Sequence, residues 1–191
     1  MSKSKLGPNH YLYPMPTTIV GANVKGKPNY LAIAWCSIVH GSPPIIAVAL
    51  RKTRYTSIGI KENQTFSVNI PSSTMVAKVD YVGLVSGHKT DKSQIFTTFY
   101  GTLETAPMIE ECPINLECKL LQTLDFGHSH EVFFGEIVEV YANKECLKNG
   151  IPDIKRIDPI LYSTGDHNYW KVGDHLAKAF DIGRSYQGKN S

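Results

Sequence analysis

A cluster of cations and hydroxyls directly follows an apolar run in the sequence. The run Ile45 to Leu50 gives way to Arg51, Lys52, Thr53, Arg54, Tyr55, Thr56 and Ser57. If a helix opens near Thr53, its free backbone N–H groups gather beside these side chains, and a helix N-terminus attracts anions such as phosphate. The alternative is that Thr53 only caps the helix while the cations are solvated. The cluster therefore indicates a candidate phosphate site, with both interpretations open.

Two further groups of residues could contact a ligand. Trp35 lies one strand before the cluster, where it could cover a flat aromatic ligand, although a tryptophan in a strand is often core. His128 and His130 form an H-x-H pair that could hold a metal on one face of a strand or hairpin. No third ligand is evident nearby, and two histidines in a turn are usually solvated. We therefore expect no metal site.

Composition excludes several classes of protein. The 191 residues carry a net charge of +3, are 42% hydrophobic and 19% charged, and so suit a soluble globular protein. The charge is too small to indicate nucleic-acid binding, and the apolar runs are too short to span a membrane. The N-terminus has no apolar signal-peptide core, which predicts a cytoplasmic protein with reduced cysteines. We expect one domain over residues 1–191, with loose ends at 1–10 and 184–191.

The elements that must position these residues are mostly short strands separated by turn signals. The predicted strands are Thr17 to Val24, Tyr30 to Val39, Ile45 to Leu50, Thr65 to Pro71, Cys112 to Leu124 and His130 to Ala142, with a last hairpin near residues 160–173. Two helices are predicted, one from about Thr53 to Asn63 and one from Ser72 to Val85. Every position of Ile45 to Leu50 is apolar, so both faces of that strand require cover. The pattern favours a closed or nearly closed barrel.

Three motifs carry a family resemblance. The order G-K-P-N-(x5)-W-C-S, P-P-I-I-A-V-A-L-R-K-T-R-Y-T-S-I-G-I and F-S-V-N-I-P resembles the flavoredoxin group of flavin reductase-like proteins. The resemblance covers roughly Tyr13 to Gly183, and its specific part lies between Asn29 and Pro71. It implies a mainly β protein with short helices, folded as an FMN-binding split β-barrel. It also implies a homodimer with FMN in a groove at or near the subunit interface.

The resemblance implies roles for individual residues. The FMN phosphate would be met by Arg51, Thr53, Tyr55 and Thr56. The isoalloxazine ring would be lined by Trp35, Cys36, Ser37 and Ile38, with Asn29 at the entrance. Further contacts would come from Ser86, Gly87 and Lys92, where the lysine charge could reach the phosphate or the N1/O2 edge of the flavin. His130 would lie beside the flavin as a tentative catalytic residue, and Tyr169 and Trp170 would cover it.

The implied activity is that of an FMN-dependent oxidoreductase. Electrons would pass from NAD(P)H or a redox protein through FMN to an acceptor, with no nucleic-acid or membrane partner. The sequence has no G-x-G-x-x-G fingerprint, so a nicotinamide donor would bind without a dedicated domain. Two alternatives stay open: a non-catalytic flavin-binding or sensor module on the same barrel, and a structural dimer without a ligand.

Overall fold

The computed structural model describes residues 1–186, in which β-strands predominate. The strands are β1 (Met15–Pro16), β2 (Thr18–Val24), β3 (Lys27–Ile33), β4 (Cys36–Gly41), β5 (Pro44–Arg51), β6 (Thr65–Ile70), β7 (Thr98–Phe99), β8 (Met108–Ile109), β9 (Ile114–Asp125), β10 (His130–Ala142), β11 (Leu147–Lys148), β12 (Ile151–Pro152), β13 (Leu161–Ser163) and β14 (Asn168–Trp170). The helices are α1 (Tyr55–Asn63), α2 (Val76–Leu84) and α3 (Ile154–Ile157), with 3-10 turns at Ser73–Met75, Lys144–Cys146 and Ile182–Ser185. The predicted loose tail extends past residue 186, so its last five residues lie outside the described part.

Seven strands form one antiparallel sheet in the order β3-β2-β6-β9-β10-β5-β4. The two edge strands, β3 and β4, are consecutive in the chain and are separated only by Ala34 and Trp35. Because two residues cannot cross a flat seven-stranded sheet, the sheet must roll up until its edges approach each other. The Ala49 amide donates to the Trp35 carbonyl at 2.9 Å, which extends the β4–β5 pairing up to this connection. The result is a barrel whose wall is split at one side.

The barrel interior explains the apolar alternation of its strands. On β5, Ile46, Val48 and Leu50 are buried inside, whereas the intervening residues face outward and are half-buried. The core also contains Phe66 from β6 and Phe133 from β10. The expectation that both faces of this strand need cover is therefore met on the inner face, while the outer face of the single chain is only partly covered.

The two long helices pack on the outside of the rolled sheet. Helix α1 lies so close to β2 that a Cβ on Gly59 would overlap the backbone of Asn23, which explains a glycine in the middle of the helix. Helix α2 buries Val79 and Val82 in a second core beside β3. These two helices place the N-terminus of α1 and the C-terminus of α2 next to the seam.

Most predicted strands agree with the structure, and one differs. The sequence predicted a single strand from Tyr30 to Val39, but the chain forms β3 and β4 with a break at Ala34 and Trp35. The break is needed because the two halves lie at opposite edges of the sheet. Within residues 1–186, no helix has the length and apolar character needed to cross a bilayer.

Candidate functional site

The cation cluster lies at the N-terminus of α1. The sequence predicted that this helix opens near Thr53, but it begins at Tyr55, and Arg54 occupies the N-cap position without a side-chain capping bond. The capping role considered for Thr53 is therefore wrong, and its side chain is exposed. Because no side chain caps α1, the amides of its first turn keep their affinity for an anion.

Arg54 is the centre of a positive field. His130 lies directly opposite Arg51 across the β5–β10 pair. The pKa of His130 is lowered first by desolvation and then by the charges of Arg51 and Arg54. The pKa of Lys92 is lowered to about 8, first by burial and then by Arg54. Among the described residues, no carboxylate forms a salt bridge with either arginine. This field suits an anionic ligand group.

An apolar groove of about 520 Å³ lies beside the seam. Its inner wall is the outer face of β4, β5 and β10 together with Trp35, and its outer wall is the N-terminal segment before β1. The Trp35 ring is 39% exposed and lies 4.8 Å, centroid to centroid, from the ring of His130. The ring of His10 also meets Trp35 edge-on, at 5.5 Å between centroids. The groove has the size and lining of a small-molecule site.

A smaller cleft connects the groove to the cations. It has a volume of about 130 Å³ and shares Ala34, Trp35 and Ala49 with the groove, while Arg51, Arg54 and His130 line its other end. The arrangement therefore joins an apolar slot to a positive pocket at a helix N-terminus. A ligand with a flat ring at one end and an anionic group at the other matches both parts.

The residues after Trp35 divide between the groove and solvent. Cys36 and Ser37 line the groove, whereas Ile38 is exposed on the edge strand and is not part of the lining. Burial raises the pKa of the Cys36 thiol to about 11, so the thiol is neutral near pH 7. A neutral thiol contributes packing to the site and is a poor nucleophile.

A second group of the predicted residues surrounds a neighbouring pocket of about 380 Å³. Asn29, Tyr55, Gly87 and Lys92 are among its lining residues. The Asn29 amide donates to the buried Thr56 hydroxyl at 2.7 Å, which connects β3 to α1. A Cβ at Gly87 would lie 2.5 Å from Asn29 Oδ1 and 2.7 Å from Tyr55, so only glycine fits there. Thr56 therefore acts behind the pocket wall, through Asn29.

Lys92 has a structural role that the sequence did not indicate. Its side chain is 3% exposed, and its ammonium donates to the carbonyls of Tyr30 at 2.9 Å and Val82 at 2.8 Å. An ammonium has three N–H donors, so one of them remains for a ligand after these two bonds. The neighbouring Ser86 begins the turn that precedes Lys92, and its hydroxyl accepts the His88 amide at 3.3 Å.

The two C-terminal aromatic residues occupy different surroundings. Tyr169 lines a cavity of about 200 Å³ that shares Ala34 with the cleft, and its hydroxyl donates to Asp80 at 2.9 Å. Burial and Asp80 raise its pKa above the usual range. Trp170 is 54% exposed and donates its indole N–H to Ser163 at 2.8 Å. The structure thus brings Tyr169 to the edge of the site and leaves Trp170 outside the groove and cleft.

The H-x-H pair does not form one unit. His128 is exposed in the β9–β10 turn, whereas His130 begins β10 and packs its ring at a tilt against Trp35. Within residues 1–186, no group of three or more histidine, cysteine, aspartate or glutamate side chains is arranged to hold a metal.

Sequence reasoning missed two parts of this site. Arg54 was one cation among several in its cluster, and only the fold shows that His130 and Lys92 both lie within its field. The outer wall of the groove, which includes His10, Leu12 and Pro14, fell in or beside a segment expected to be loose. The aromatic run H-Y-L-Y-P was the available signal, because large aromatic side chains gain stability when they pack against other groups.

Comparison with known proteins places this chain in a family. The model of the flavin reductase like domain matches residues 10–171. The chain therefore belongs to the flavin reductase-like family, and its fold is the split barrel of that family. An uncharacterised protein of Archaeoglobus fulgidus is 34% identical over 146 residues, which cover 75% of this chain and 81% of that protein.

Two solved structures are similar over nearly the whole chain. The flavoredoxin from Methanosarcina acetivorans is 50% identical, with 97% of this chain and 99% of that chain covered and a TM-score of 0.94. The flavoredoxin of Desulfovibrio vulgaris (Miyazaki F) is 38% identical, with 95% and 100% covered and a TM-score of 0.89. The FMN-binding protein from Thermus thermophilus shares the fold at 24% identity and a TM-score of 0.79.

Proposed function

We propose that this chain is an FMN-binding oxidoreductase of the flavoredoxin type. The observation that carries the proposal is the apolar groove at Trp35, which opens through a cleft onto the positive field of Arg54 at the N-terminus of α1. FMN combines a flat apolar ring with a phosphate, and it matches both ends. The flavoredoxin names of the two similar structures support the same cofactor.

The residues would divide the cofactor between them. Trp35, Cys36 and Ser37 would contact the ring along the groove, while Arg51, Arg54 and the first amides of α1 would hold the phosphate. Asn29 and Lys92, which line the neighbouring pocket, would add polar contacts near the phosphate. When bound, FMN supplies the hydride and electron chemistry, and the protein supplies binding, orientation and electrostatics.

His130 is the proposed titrating residue of the site. Its ring lies 4.8 Å from that of Trp35, and its Nδ1 lies 2.9 Å from the Ser129 hydroxyl, which fixes the ring orientation. The lowered pKa keeps the imidazole neutral near pH 7, so it can accept or donate a hydrogen bond without adding charge. It would tune the reactivity of the flavin and would not be needed to hold it.

We further propose that the chain forms a homodimer. Apolar side chains on the outer face of the barrel wall, such as Val132, Phe134 and Leu124, are half-buried or exposed in the single chain. They form rows across β5, β10 and β9, because Val132 lies opposite both Ala49 and Leu124. An apolar face of this kind is typical of a subunit interface. One domain over the whole chain and a cytoplasmic location stay predictions.

The test is an anaerobic titration of the FMN-loaded protein with NADH and NADPH in separate experiments. Bleaching of the flavin absorbance by one nucleotide would identify the donor and support an NAD(P)H-linked enzyme. A yellow protein that neither nucleotide reduces would need a redox protein as donor, or would be the non-catalytic flavin module. Purified protein that takes up no FMN would refute the proposal.

A further inference from the structure

The N-terminal segment His10–Pro14 forms a strap across the apolar groove. Its residues His10, Leu12 and Pro14 face Trp35, Ser37, Ala47, Ala49 and Val132 on the barrel wall, and the space between the two walls is the groove itself. The strap has no regular secondary structure. The backbone N–H of Leu12 donates to the carbonyl of His10 at 2.9 Å, which is a bond within the strap. The strap therefore lies over the groove without being part of the sheet.

The strap is fixed at one end and latched in the middle. Its C-terminal end continues into β1, where Met15 is buried and pairs with Tyr162 of β13. Its middle is held by the Tyr13 hydroxyl, which accepts the Gly165 amide at 2.8 Å. A Cβ at Gly165 would overlap that hydroxyl, so the latch requires a glycine. At the far end, the His10 ring meets Trp35 edge-on at 5.5 Å.

We propose that the strap is the outer wall of the flavin-ring site, and that the Tyr13–Gly165 latch holds it closed and slows the departure of FMN. The claim that the latch slows FMN release rests on the proposed FMN function, whereas the claim that the strap covers Trp35 does not. A ring held between two walls leaves only when one of them moves. The latch thereby makes FMN a retained group in place of a freely exchanged substrate.

The small number of contacts predicts how easily the strap opens. Beyond Met15, the hydrogen bond from Gly165 and the ring contact with Trp35 connect the strap to the rest of the described chain, and each such contact has a modest net contribution in water. The strap can therefore open while the barrel stays folded. Removing the latch should change the population of the open form without changing global unfolding.

The strap is tested in two experiments, one with the apo-protein and one with the FMN-loaded protein. In the apo-protein, acrylamide quenching of tryptophan fluorescence reports how exposed Trp35 is. Gly165→Ala and the near-isosteric Tyr13→Phe should each increase the quenching constant. The matched controls are Gly173→Ala, where a Cβ meets nothing within 4 Å, and Tyr11→Phe. In a Trp35→Phe background, where only Trp170 reports, the increase should disappear.

In the FMN-loaded protein, the rate of FMN release into excess apo-flavodoxin or another FMN scavenger is measured. Both latch variants should release FMN about fivefold faster than the parent, as expected for the loss of one hydrogen bond. The claim that the strap covers Trp35 would be refuted if the latch variants left the quenching of the apo-protein unchanged. It would also be refuted if the increase persisted in the Trp35→Phe background. If quenching increased while the rate of FMN release stayed the same, the claim that the latch slows FMN release would be refuted. If the parent binds no FMN, both the proposed function and the claim that the latch retains FMN are refuted. The quenching of the apo-protein would still show whether the strap covers Trp35.

Discussion

Neutralising Arg54 should reduce the preference of the protein for FMN over riboflavin. Arg54 stands at the N-cap of α1, and its charge lowers the pKa of both His130 and Lys92. In Arg54→Gln the side chain stays polar, but it is shorter and carries no charge. Its bond to the Gly83 carbonyl is long, at 3.5 Å, so the folded state should lose little.

The magnitude follows from the bond that is lost. A hydrogen bond between a guanidinium and a phosphate contributes about 1.5–3 kcal/mol, so FMN affinity should fall about 10- to 150-fold. Riboflavin has the same ring without the phosphate, and its affinity should change less than about threefold, since the groove beside Trp35 is untouched. The ratio of the two dissociation constants therefore isolates the phosphate contact.

The assay is the quenching of flavin fluorescence on binding, measured for both flavins with the parent and each variant. Lys52→Gln is the matched control, because Lys52 lies in the same segment but is already paired with Asp125 at 2.7 Å. It should leave the FMN to riboflavin ratio within about twofold of the parent, as expected for a partly exposed ion pair. Equal losses of FMN affinity in Arg54→Gln and Lys52→Gln would mean that positive charge attracts FMN without a specific phosphate contact. An unchanged ratio in Arg54→Gln would refute the phosphate site.

Three further predictions test the remaining parts of the site. His130→Ala should leave the yellow colour and thermal unfolding nearly unchanged but lower the rate of flavin reduction. It should also change the pH dependence of that rate below pH 6.5, because the pKa of His130 is lowered from its ordinary value of 6.5. His128→Ala, in the exposed turn, should behave like the parent. Leu124→Glu should weaken the homodimer in light scattering at micromolar concentration, whereas Leu84→Glu on the exposed side of α2 should not; a monomeric parent would contradict the dimer. FMN binding should favour the protonated form of Lys92, whose pKa is about 8 in the free protein. Above pH 8 the free lysine must take up a proton to bind the anion, so FMN affinity should fall as pH rises from 8 to 9.5 and riboflavin affinity should not; parallel pH profiles for the two flavins would refute the coupling.

The strands could be predicted from the sequence because their hydrophobic pattern is local. Much of the candidate site could not be predicted, because its contacts join residues that are distant in the chain. The prediction for His130 to Ala142 has the bounds of β10, since alternation and the flanking turn define a strand without help from elsewhere. The surroundings of Lys92 could not be read in this way. Its partners are carbonyls of Tyr30 and Val82, 62 and 10 residues away, and carbonyls carry no residue-type signal in a sequence. The same holds for Asn29, whose partner Thr56 is 27 residues distant.

The one strand that was read incorrectly explains why the site lies where it does. The apolar run from Tyr30 to Val39 gives no local reason to break, and the break at Ala34 and Trp35 comes from the topology that places β3 and β4 at opposite edges of the rolled sheet. A residue at such a break is released from the pleat, so Trp35 can lie half-exposed against His130 and not inside the barrel. The backbone there still pairs, because the Trp35 carbonyl accepts from Ala49. The split in the barrel wall and the apolar slot for the ring are therefore one feature, and a substitution that restored a continuous wall would remove the site together with the split.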